Sequence, residues 1–401
     1  MEHVIFVDDE PLILEGLKRT FRRMRREWDM RFANGGKQAL EMLSASPASI
    51  VVSDMKMPGM DGADLLAEVK RLSPDTIRVI LSGHSEMDLI MKAVATTHQY
   101  LAKPCDPDEL EELINRTQAL RKLVNSPDLA RLVAQVDSLP SFPRVYENVI
   151  ACLKKPKTTL KEVCQILETD IAMTAKIMKL VNSAYFGLAK PVSSIETAVS
   201  FLGLETIMSL VLAHSVFKQY DGSSIGPFNV EELFNYTMKV GLAAKVIARY
   251  ENLANNIVDD AYTSAMLHDC GKLVLAFGVS DAFGKVIEKT GGLHIFSERI
   301  ERELLGATHA EVGAYLLGLW GLPDVIIDAV AHHETPSKSV VRSFGALGVV
   351  HVASRIVLNP DTEDLTAVSP NLDLDYLESL NFTDHWVEWQ NIWRKSQEKE
   401  S

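Results

Sequence analysis

Short apolar runs alternate with stretches of helical periodicity over the first 120 residues of the chain. The runs are rich in β-branched and aromatic residues, and polar or turn residues follow each of them. Between the runs, apolar residues recur three and four positions apart, which is typical of a helix with one buried face. This alternation predicts a parallel sheet with helices on both faces, and the right-handed crossover rule favours a flavodoxin-like strand order. The five predicted strands are Val4–Val7, Met30–Ala33, Ile50–Ser53, Arg78–Leu81 and Tyr100–Ala102.

Helical periodicity replaces the strand pattern beyond residue 130. A helix that starts near Asp106 leads out of the first region. The pair Ser126-Pro127 then predicts a break and a restart, because proline suits the first turn of a helix. Long helices are predicted over Leu160–Leu180, Ser194–Phe217, Val230–Tyr250 and His309–Leu319.

These two periodicities predict a chain built from an α/β domain and an all-α domain. Near the end of the chain, Trp386, Trp389 and Trp393 recur on one face of a helix. We expect this tryptophan stripe to pack against the helical bundle, with a docking face for a partner or a second copy as the alternative. The predicted units are the α/β domain at 1–122, a helical linker at 123–136, the helical domain at 137–334 and its helical extension at 335–401.

Composition narrows the classes of partner. The chain of 401 residues has a formal net charge of −13, whereas a surface that binds nucleic acid or anionic lipid needs clustered Lys and Arg. No apolar run reaches the roughly 18 residues of a membrane span. The four cysteines contain no CxxC pair, which fits a reducing compartment. We therefore expect a cytoplasmic protein that binds neither nucleic acid nor membrane directly.

Polar side chains follow four of the five predicted strands at the point where each strand ends. Asp8 and Asp9 follow the first strand, Asp54 the third, Ser82 the fourth and Lys103 the fifth. Because ligands of such sheets bind beyond the carboxyl ends of the strands, these side chains are expected to share one crevice. Three clustered carboxylates suit Mg²⁺, and a carboxylate can attack a phosphoryl group to form an acyl phosphate. Lys103 would then neutralise charge on the phosphoryl oxygens, and Ser82 would donate a hydrogen bond to one of them.

The α/β domain resembles the receiver domain of response regulators. The resemblance is carried by VDDE at 7–10, SDMKMPGMDG at 53–62, LSGHS at 81–85 and LAKP at 101–104. It implies that a histidine kinase phosphorylates Asp54 in the presence of Mg²⁺. It further implies Asp9 as a direct metal ligand, Asp8 as a ligand through water, Lys56 as a ligand through its backbone carbonyl, Ser82 and Tyr100 as the hydroxyl and aromatic switch positions, and Lys103 as the phosphoryl-binding cation.

Histidines are concentrated in three motifs of the helical domain. His268 and Asp269 are adjacent, His309 opens a predicted helix, and His332 and His333 form a pair. Histidines and an aspartate from several helices of a bundle can bind a divalent metal and activate water. The alternative is that each histidine packs in the core with a backbone partner, and the residues alone leave both interpretations open.

The helical domain resembles the HDOD family, a relative of the HD phosphohydrolases. The resemblance rests on DSLPSFPRVYENVIACL at 137–153, LETDIAMTAKIMKLVNSAYFG at 167–187 and SSIETAVSFLGLETIMSLVLA at 193–213. Catalytic HD enzymes place a histidine where this chain has Tyr236 and an aspartate where it has Ser354. The chain also reads HHETPSKS, without the GYP loop of the cyclic-dinucleotide phosphodiesterases. The resemblance therefore implies a non-catalytic domain without a two-metal centre, in which the remaining histidines could hold one metal or only brace the fold.

Together the two resemblances imply a two-component response regulator that takes part in a phosphorelay. The expected partners are a histidine kinase and an unknown downstream protein, with a homodimer as a further expectation. No catalytic residue is predicted in the helical domain. The alternatives are a degenerate HD-type metal-dependent phosphohydrolase and an output domain that binds a cyclic dinucleotide or another nucleotide.

Overall fold

A computed structural model describes most of the chain. Of the predicted motifs, residues 83–85, Pro104, 183–187, 213–217 and much of 137–153 lie outside the described residues, and of Ser82 only the backbone is described. The described residues are 2–26, 28–82, 96–103, 107–124, 126–136, 139–141, 148–149, 151–152, 155, 158–182, 188, 191–212, 218–219, 226–359 and 372–398.

The N-terminal part contains a five-stranded parallel sheet. Its strands are β1 (Glu2–Val7), β2 (Trp28–Ala33), β3 (Ile50–Asp54), β4 (Ile77–Ser82) and β5 (Gln99–Ala102). Their order is β2-β1-β3-β4-β5, which confirms the predicted α/β class and the flavodoxin-like order. Each strand contains its predicted apolar run and extends past it by one or two residues at one or both ends.

The helices of this domain are amphipathic, as the periodicity predicts. They are α1 (Pro11–Thr20), α2 (Gly36–Ala45), α3 (Gly62–Leu72) and α4 (Pro107–Leu123), with a 3₁₀ helix at Phe21–Arg26. In α3, Leu65, Leu66 and Val69 are buried in the core, whereas Leu72 is exposed because it is the last residue of the helix. Asp61 caps α3 by accepting a hydrogen bond from the Asp64 backbone N–H, which satisfies one free donor of the first turn.

The described residues after the sheet domain form helices and connecting segments, together with a short parallel pairing of β6 (Pro140–Ser141) with β7 (Lys218–Gln219). Among the described helices, none is both long enough and apolar enough to cross a membrane. There are also 3₁₀ helices at Pro336–Lys338 and Thr383–His385. The α-helices are α5 (Pro127–Ala134), α6 (Leu160–Leu167), α7 (Ile171–Val181), α8 (Ile195–Leu212), α9 (Val230–Tyr250), α10 (Asn255–Leu267), α11 (Cys270–Gly278), α12 (Ser280–Thr290), α13 (Glu298–Leu305), α14 (His309–Leu319), α15 (Asp324–His332), α16 (Ala346–Leu358), α17 (Leu374–Ser379) and α18 (Trp386–Glu398).

Two of the long predicted helices have the predicted bounds, and two are interrupted. Helices α9 and α14 begin and end where the pattern predicts. The prediction of one helix over Leu160–Leu180 is wrong, because Asp170 accepts a hydrogen bond from the Met173 N–H and starts α7 as a separate helix. Helix α8 is broken at Gly203, whose φ of 78° lies in the left-handed region that glycine tolerates.

The tryptophan stripe of the C-terminal extension packs in a hydrophobic core. Trp386, Trp389 and Trp393 are all buried, which confirms the packing prediction and excludes the stripe as a free docking face. Trp389 stacks on Phe344 with ring centroids 5.3 Å apart. Its indole N–H donates to the Glu251 carboxylate at 2.6 Å, so the buried polar atom is satisfied.

The sheet domain contacts the helical domain through β5 and α4. The Gln99 side-chain amide donates to the Gly318 carbonyl at 3.0 Å, and Arg116 pairs with Asp324 at 2.8 Å. Lys179 of α7 donates to the Thr97 carbonyl at 2.6 Å. Helix α14, which carries Gly318, is therefore joined directly to the edge strand of the sheet domain.

Candidate functional site

Three acidic residues meet at the carboxyl ends of β1 and β3. Asp8 and Asp9 follow β1, and Asp54 is the last residue of β3. One carboxylate oxygen from each lies within 4.8 Å of the other two. Asp8 and Asp54 are buried, whereas Asp9 is only half-buried, so the crevice opens to solvent on the side of Asp9.

Lys103 lies between two of these carboxylates. Its Nζ is 2.9 Å from Asp8 Oδ2 and 2.7 Å from Asp54 Oδ1. Burial would lower the pKa of Lys103, but the two carboxylates outweigh that effect and raise it, so the ammonium stays charged. Burial raises the pKa of Asp54 more than Lys103 lowers it. A further cation would therefore favour the ionised form of Asp54.

The donor set of this crevice fits Mg²⁺. Mg²⁺ prefers hard oxygen ligands and commonly uses one or two carboxylates together with phosphate oxygens. Asp8, Asp9 and Asp54 offer such oxygens within the span of one ion. Lys103 contacts Asp8 through Oδ2 and Asp54 through Oδ1, and Asp8 Oδ1 accepts a hydrogen bond from the Glu10 backbone N–H, so a cation would use the remaining lone pairs of these oxygens.

The other predicted receiver residues lie on β4 and β5 and directly after β3. Ser82 ends β4, the strand next to β3. Tyr100 is buried in β5, and Lys56 follows β3 with an exposed side chain. The structure therefore brings Asp8, Asp9, Asp54 and Lys103 together at one end of the sheet, and the roles of Ser82, Tyr100 and Lys56 stay predictions.

A second cluster of titratable groups is buried in the helical domain. His309 Nε2 lies 3.2 Å from Asp269 Oδ1 and 3.9 Å from Glu334 Oε1. His333 Nε2 lies 3.8 Å from the same Asp269 oxygen and 3.5 Å from the same Glu334 oxygen. His268 Nε2 approaches Asp269 Oδ2 at 3.4 Å. Four of the five residues predicted for the degenerate HD site thus lie together, and Glu334 joins them.

His332, the fifth predicted residue, does not belong to this cluster. Its side chain is 26% exposed, and its Nε2 lies 3.7 Å from Asp328 on the preceding turn of α15. His333 is the next residue, and consecutive residues of a helix point about 100° apart, so one of the pair faces the core and the other the surface. The inclusion of His332 in the site is therefore not supported by the geometry.

Each clustered histidine is oriented by its second nitrogen. The Nδ1 atom lies 2.6 Å from the Ala265 carbonyl in His268 and 2.8 Å from the Val330 carbonyl in His333. Only an N–H can donate to a carbonyl, so these two rings carry their proton on Nδ1. In His309 the Nδ1 atom lies 2.8 Å from the Glu301 carboxylate. All three Nε2 atoms therefore point into the cluster.

Two buried cations pair with the outer carboxylate oxygens of the cluster, which are the oxygens of Asp269 and Glu334 that do not face His309 and His333. Lys272 Nζ lies 2.9 Å from Asp269 Oδ2. Arg355 forms an ion pair with Glu334 through Oε2. Burial alone would raise the pKa of Asp269, but the surrounding positive charges, Lys272 and the protonated His309 among them, hold it well below its usual range. Asp269 therefore stays ionised in the protein interior.

The protonation of the histidines depends on their acidic neighbours. Burial lowers the pKa of His268 to about 3, so this ring is neutral. Burial would also lower the pKa of His309, but Glu301 outweighs that effect and raises it to about 9. In the metal-free chain, His309 is thus a cation between Glu301 and Asp269 at neutral pH.

Tyr236 and Ser354, the two positions at which the chain departs from catalytic HD enzymes, contact each other beside the cluster. Tyr236 is buried, and its ring centroid is 5.7 Å from that of His268. Its hydroxyl donates to the Ser354 backbone carbonyl at 3.3 Å. A phenol and a backbone carbonyl thus adjoin the cluster at these two positions, and neither is a typical metal ligand.

Four residues of the cluster were not predicted from the sequence. Glu334 and Lys272 stand in the motifs HHE and HDCGK, so their sequence neighbours were the available signal. Glu301 and Arg355 belong to α13 and α16, and the sequence contains no periodic or motif signal that places them beside Asp269.

Comparison with known families identifies both domains. Residues 4–115 match the response regulator receiver domain family, and residues 139–336 match the HDOD domain family. The chain therefore belongs to the response regulators in which a receiver domain precedes an HDOD domain. This confirms the receiver and HDOD resemblances described above.

Curated relatives match only part of the chain. The uncharacterized transcriptional regulatory protein YesN of Bacillus subtilis is 31% identical over 153 residues, which are 35% of this chain and 40% of that protein. An uncharacterized protein of Treponema pallidum is 25% identical over 211 residues, or 52% of this chain and 40% of that protein. The chain thus spans about two fifths of the length of these relatives.

Solved structures with similar parts include another response regulator. The MmoQ response regulator of Methylococcus capsulatus is 22% identical, with a TM-score of 0.49, and the match covers 63% of this chain and 97% of that one. The signal receiver domain of an HD domain-containing protein of Pseudomonas fluorescens is 32% identical, with a TM-score of 0.28. That match covers 30% of this chain and 95% of that one.

Proposed function

We propose that the chain is a cytosolic response regulator that a histidine kinase phosphorylates on Asp54, and that its HDOD domain acts through protein contacts without catalysis. The observation that carries the proposal is the position of Lys103, which touches both Asp8 and Asp54 at the end of the sheet. A carboxylate held beside an ammonium and two further acids has the groups that acyl-phosphate formation needs. The downstream partner is expected to be a protein, because the chain carries an acidic excess.

The chain's own side chains supply most of the chemistry of this step. One oxygen of Asp54 attacks the phosphorus of a phosphohistidine, and the bond from phosphorus to the histidine nitrogen breaks, with the electron pair left on that nitrogen. Lys103 neutralises charge on the transferred group, and Ser82 is proposed to donate a hydrogen bond to it. Asp8, Asp9, Asp54 and the Lys56 carbonyl would hold Mg²⁺, which supplies positive charge to the phosphoryl oxygens when bound.

The burial of the HDOD cluster supports a non-catalytic output. His309, His333 and Asp269 have almost no exposed surface, so a substrate has no route to them in this conformation. Lys272 and Arg355 already occupy the outer oxygens of the two carboxylates. An enzyme of this class needs an open metal position for water and substrate.

Contacts between the domains offer a route from Asp54 to the HDOD domain. β5 carries Tyr100 of the crevice region and Gln99, and Gln99 donates to Gly318 near the end of α14. Helix α4 adds the pair of Arg116 with Asp324. We propose that phosphorylation biases β5 and α4 between two arrangements and so alters how the HDOD domain is held.

Acyl-phosphate labelling tests the first part of the proposal. Asp54→Ala is expected to abolish labelling of the full chain by a small phosphodonor with Mg²⁺, because it removes the nucleophile. Asp64→Ala, which removes an exposed acid of α3, is the matched control and is expected to label normally. Labelling that persists in Asp54→Ala would refute the site.

Hydrolysis assays test the second part. The full chain, with and without a phosphodonor, is incubated with cyclic dinucleotides and nucleotides and divalent metals. We expect no turnover above a control without protein. Turnover that is lost in His309→Gln would refute the non-catalytic output and leave the assignment of Asp54 intact.

A further inference from the structure

We propose that the buried cluster of the HDOD domain binds one divalent transition-metal ion through Asp269, His309, His333 and Glu334. The site would be structural and closed, unlike the two-metal catalytic centre that the sequence already argues against. It does not depend on phosphorylation of Asp54, so the two proposals stand or fall separately.

Unpartnered buried atoms are the first observation. Asp269 Oδ1, His309 Nε2 and His333 Nε2 are all buried without a hydrogen bond of good geometry, and the nearest approach among them is the 3.2 Å between His309 Nε2 and Asp269 Oδ1. Three such atoms within one cluster are unusual, because a buried polar group without a well-formed partner is destabilising and most buried polar groups have one. A shared cation would satisfy all three at once.

The spacing of the donor atoms is the second observation. Ligands at about 2.0–2.2 Å from a tetrahedral ion lie about 3.3–3.6 Å from one another. The four distances that join a histidine nitrogen to a carboxylate oxygen in the cluster run from 3.2 to 3.9 Å. Small shifts of the side chains would therefore be enough to bring all four donors to bonding distance from one central ion.

The outer contacts of the ligands are the third observation. Metal-bound histidines usually donate their other N–H to a carbonyl or a carboxylate, which aims the free lone pair at the metal. His333 is held in this way by the Val330 carbonyl, and His309 adjoins the Glu301 carboxylate. Lys272 and Arg355 hold the outer oxygens of Asp269 and Glu334, so one oxygen of each faces inward.

The donor set selects the class of metal. Two imidazoles with two carboxylates suit Zn²⁺ and neighbouring transition metals, whereas Mg²⁺ prefers oxygen ligands and water. With four protein ligands, no position remains for substrate, as in structural zinc sites. The ion would tie the junction of α10 and α11, the start of α14 and the end of α15 to one point. Because α14 also contacts the receiver domain near Gly318, the ion would stiffen the element on which the receiver docks.

Metal content of the full chain tests the proposal. The protein is equilibrated with Zn²⁺, separated from free ion and analysed for bound metal, and we expect about one tightly bound Zn²⁺ per chain. Asp9→Asn is included to remove an acid of the receiver crevice, and it is expected to retain this ion. Co²⁺ in place of Zn²⁺ is expected to give visible absorption bands of a four-coordinate site with nitrogen and oxygen ligands.

Variants of the adjacent histidines supply a matched pair. His333→Gln is expected to weaken Zn²⁺ binding at least about 100-fold, since it removes a direct ligand. His332→Gln removes the neighbouring, partly exposed ring and is expected to retain the ion. Glu334→Gln provides a second ligand variant, and circular dichroism identifies any variant that fails to fold.

Two outcomes would overturn the proposal. The first is a folded wild-type chain that retains no Zn²⁺ or Co²⁺, in which case a proton on His309 balances the cluster instead. The second is undiminished binding in folded His333→Gln and Glu334→Gln. Bound metal together with hydrolytic turnover would support the metal site and refute only the non-catalytic output proposed above.

Discussion

The receiver crevice and the buried HDOD cluster are built from similar groups. In the crevice Lys103 contacts Asp54, and in the cluster Lys272 contacts Asp269, at nearly equal distances of 2.7 and 2.9 Å. They differ in access to solvent, since Lys103 is 27% exposed and Lys272 only 5%. In the crevice the charges can be reached from solvent, whereas in the cluster they are enclosed and can contact only one another or an ion held among them. The comparison teaches that the same residue types form an open crevice in one domain and a closed cluster in the other, and that burial decides which groups can reach them.

The largest expected effect comes from breaking the charge balance of the buried cluster. Arg355→Met leaves Glu334 as a buried carboxylate without its cation, and removal of one partner of a buried pair typically costs about 3–5 kcal/mol. Chemical denaturation of the full chain measures the loss in free energy of unfolding. Lys338→Met removes the exposed partner of Glu298 and is expected to cost less than about 1 kcal/mol. Equal losses in the two variants would contradict the buried role of Arg355.

The matching change in the receiver crevice is expected to affect reaction more than stability. Lys103→Met removes the cation beside Asp54, and loss of one such charge lowers the rate of acyl-phosphate formation roughly 100-fold. The rate of labelling by a small phosphodonor measures the effect, with Lys122→Met as an exposed control on α4. An unchanged rate would show that Lys103 does not act on the phosphoryl group.

A substitution at the interface between the receiver and HDOD domains tests the contact through which we propose that the two domains are coupled. A Cβ atom at Gly318 would collide with the Leu120 side chain of α4, so Gly318→Ala is expected to weaken docking by about 1–3 kcal/mol. Gly16→Ala meets open space and is expected to be neutral or stabilising by up to about 1 kcal/mol. Faster proteolysis of the 123–136 linker in Gly318→Ala but not in Gly16→Ala is the expected result. Equal rates of linker cleavage in the two variants would show that the packing of Gly318 against Leu120 does not hold the two domains together.

The smallest expected effect is a pH dependence of the free energy of unfolding. It arises at His98, the residue before β5, whose side chain contacts the last residue of α5. His98 Nε2 lies 2.9 Å from the Ala134 carbonyl, and Nδ1 accepts from the Arg78 backbone N–H, so the ring is neutral. Burial, together with the nearby cations Arg78, Lys179 and Lys70, holds the pKa of His98 well below 6.5. Below about pH 6.5 the unfolded chain binds a proton that the folded chain does not, so stability falls as pH falls, by about 1.4 kcal/mol per pH unit.

Denaturation at pH 7.5 and pH 5.5 measures this dependence. His98→Gln removes the titrating group, so the variant is expected to lose about 1.4 kcal/mol less than the wild type over this interval. Other buried histidines contribute equally to both proteins and cancel in the difference. Identical losses in the two proteins would contradict a neutral buried His98.

Much of the fold follows from local patterns. Buried strands such as β3 are continuous apolar runs, and α9 and α14 have an uninterrupted helical period, so their positions could be predicted to within a residue or two. The breaks at Asp170 and Gly203 were missed because an apolar period continues across them. A cap or a left-handed glycine interrupts a helix without changing that period.

The sequence by itself determined the class of each domain and the residues of the receiver crevice. Asp8, Asp9, Asp54 and Lys103 all follow or end strands, so they lie together at the carboxyl end of a parallel sheet whatever the details of packing. Only the tertiary structure decided that His333 faces the HDOD cluster while His332 does not, and that Glu301, Glu334 and Arg355 complete it. The physical reason is that a parallel sheet aligns its strand ends through a fixed hydrogen-bonded register. Helices of a bundle meet at angles and rotations that depend on the packing of side chains from distant parts of the chain.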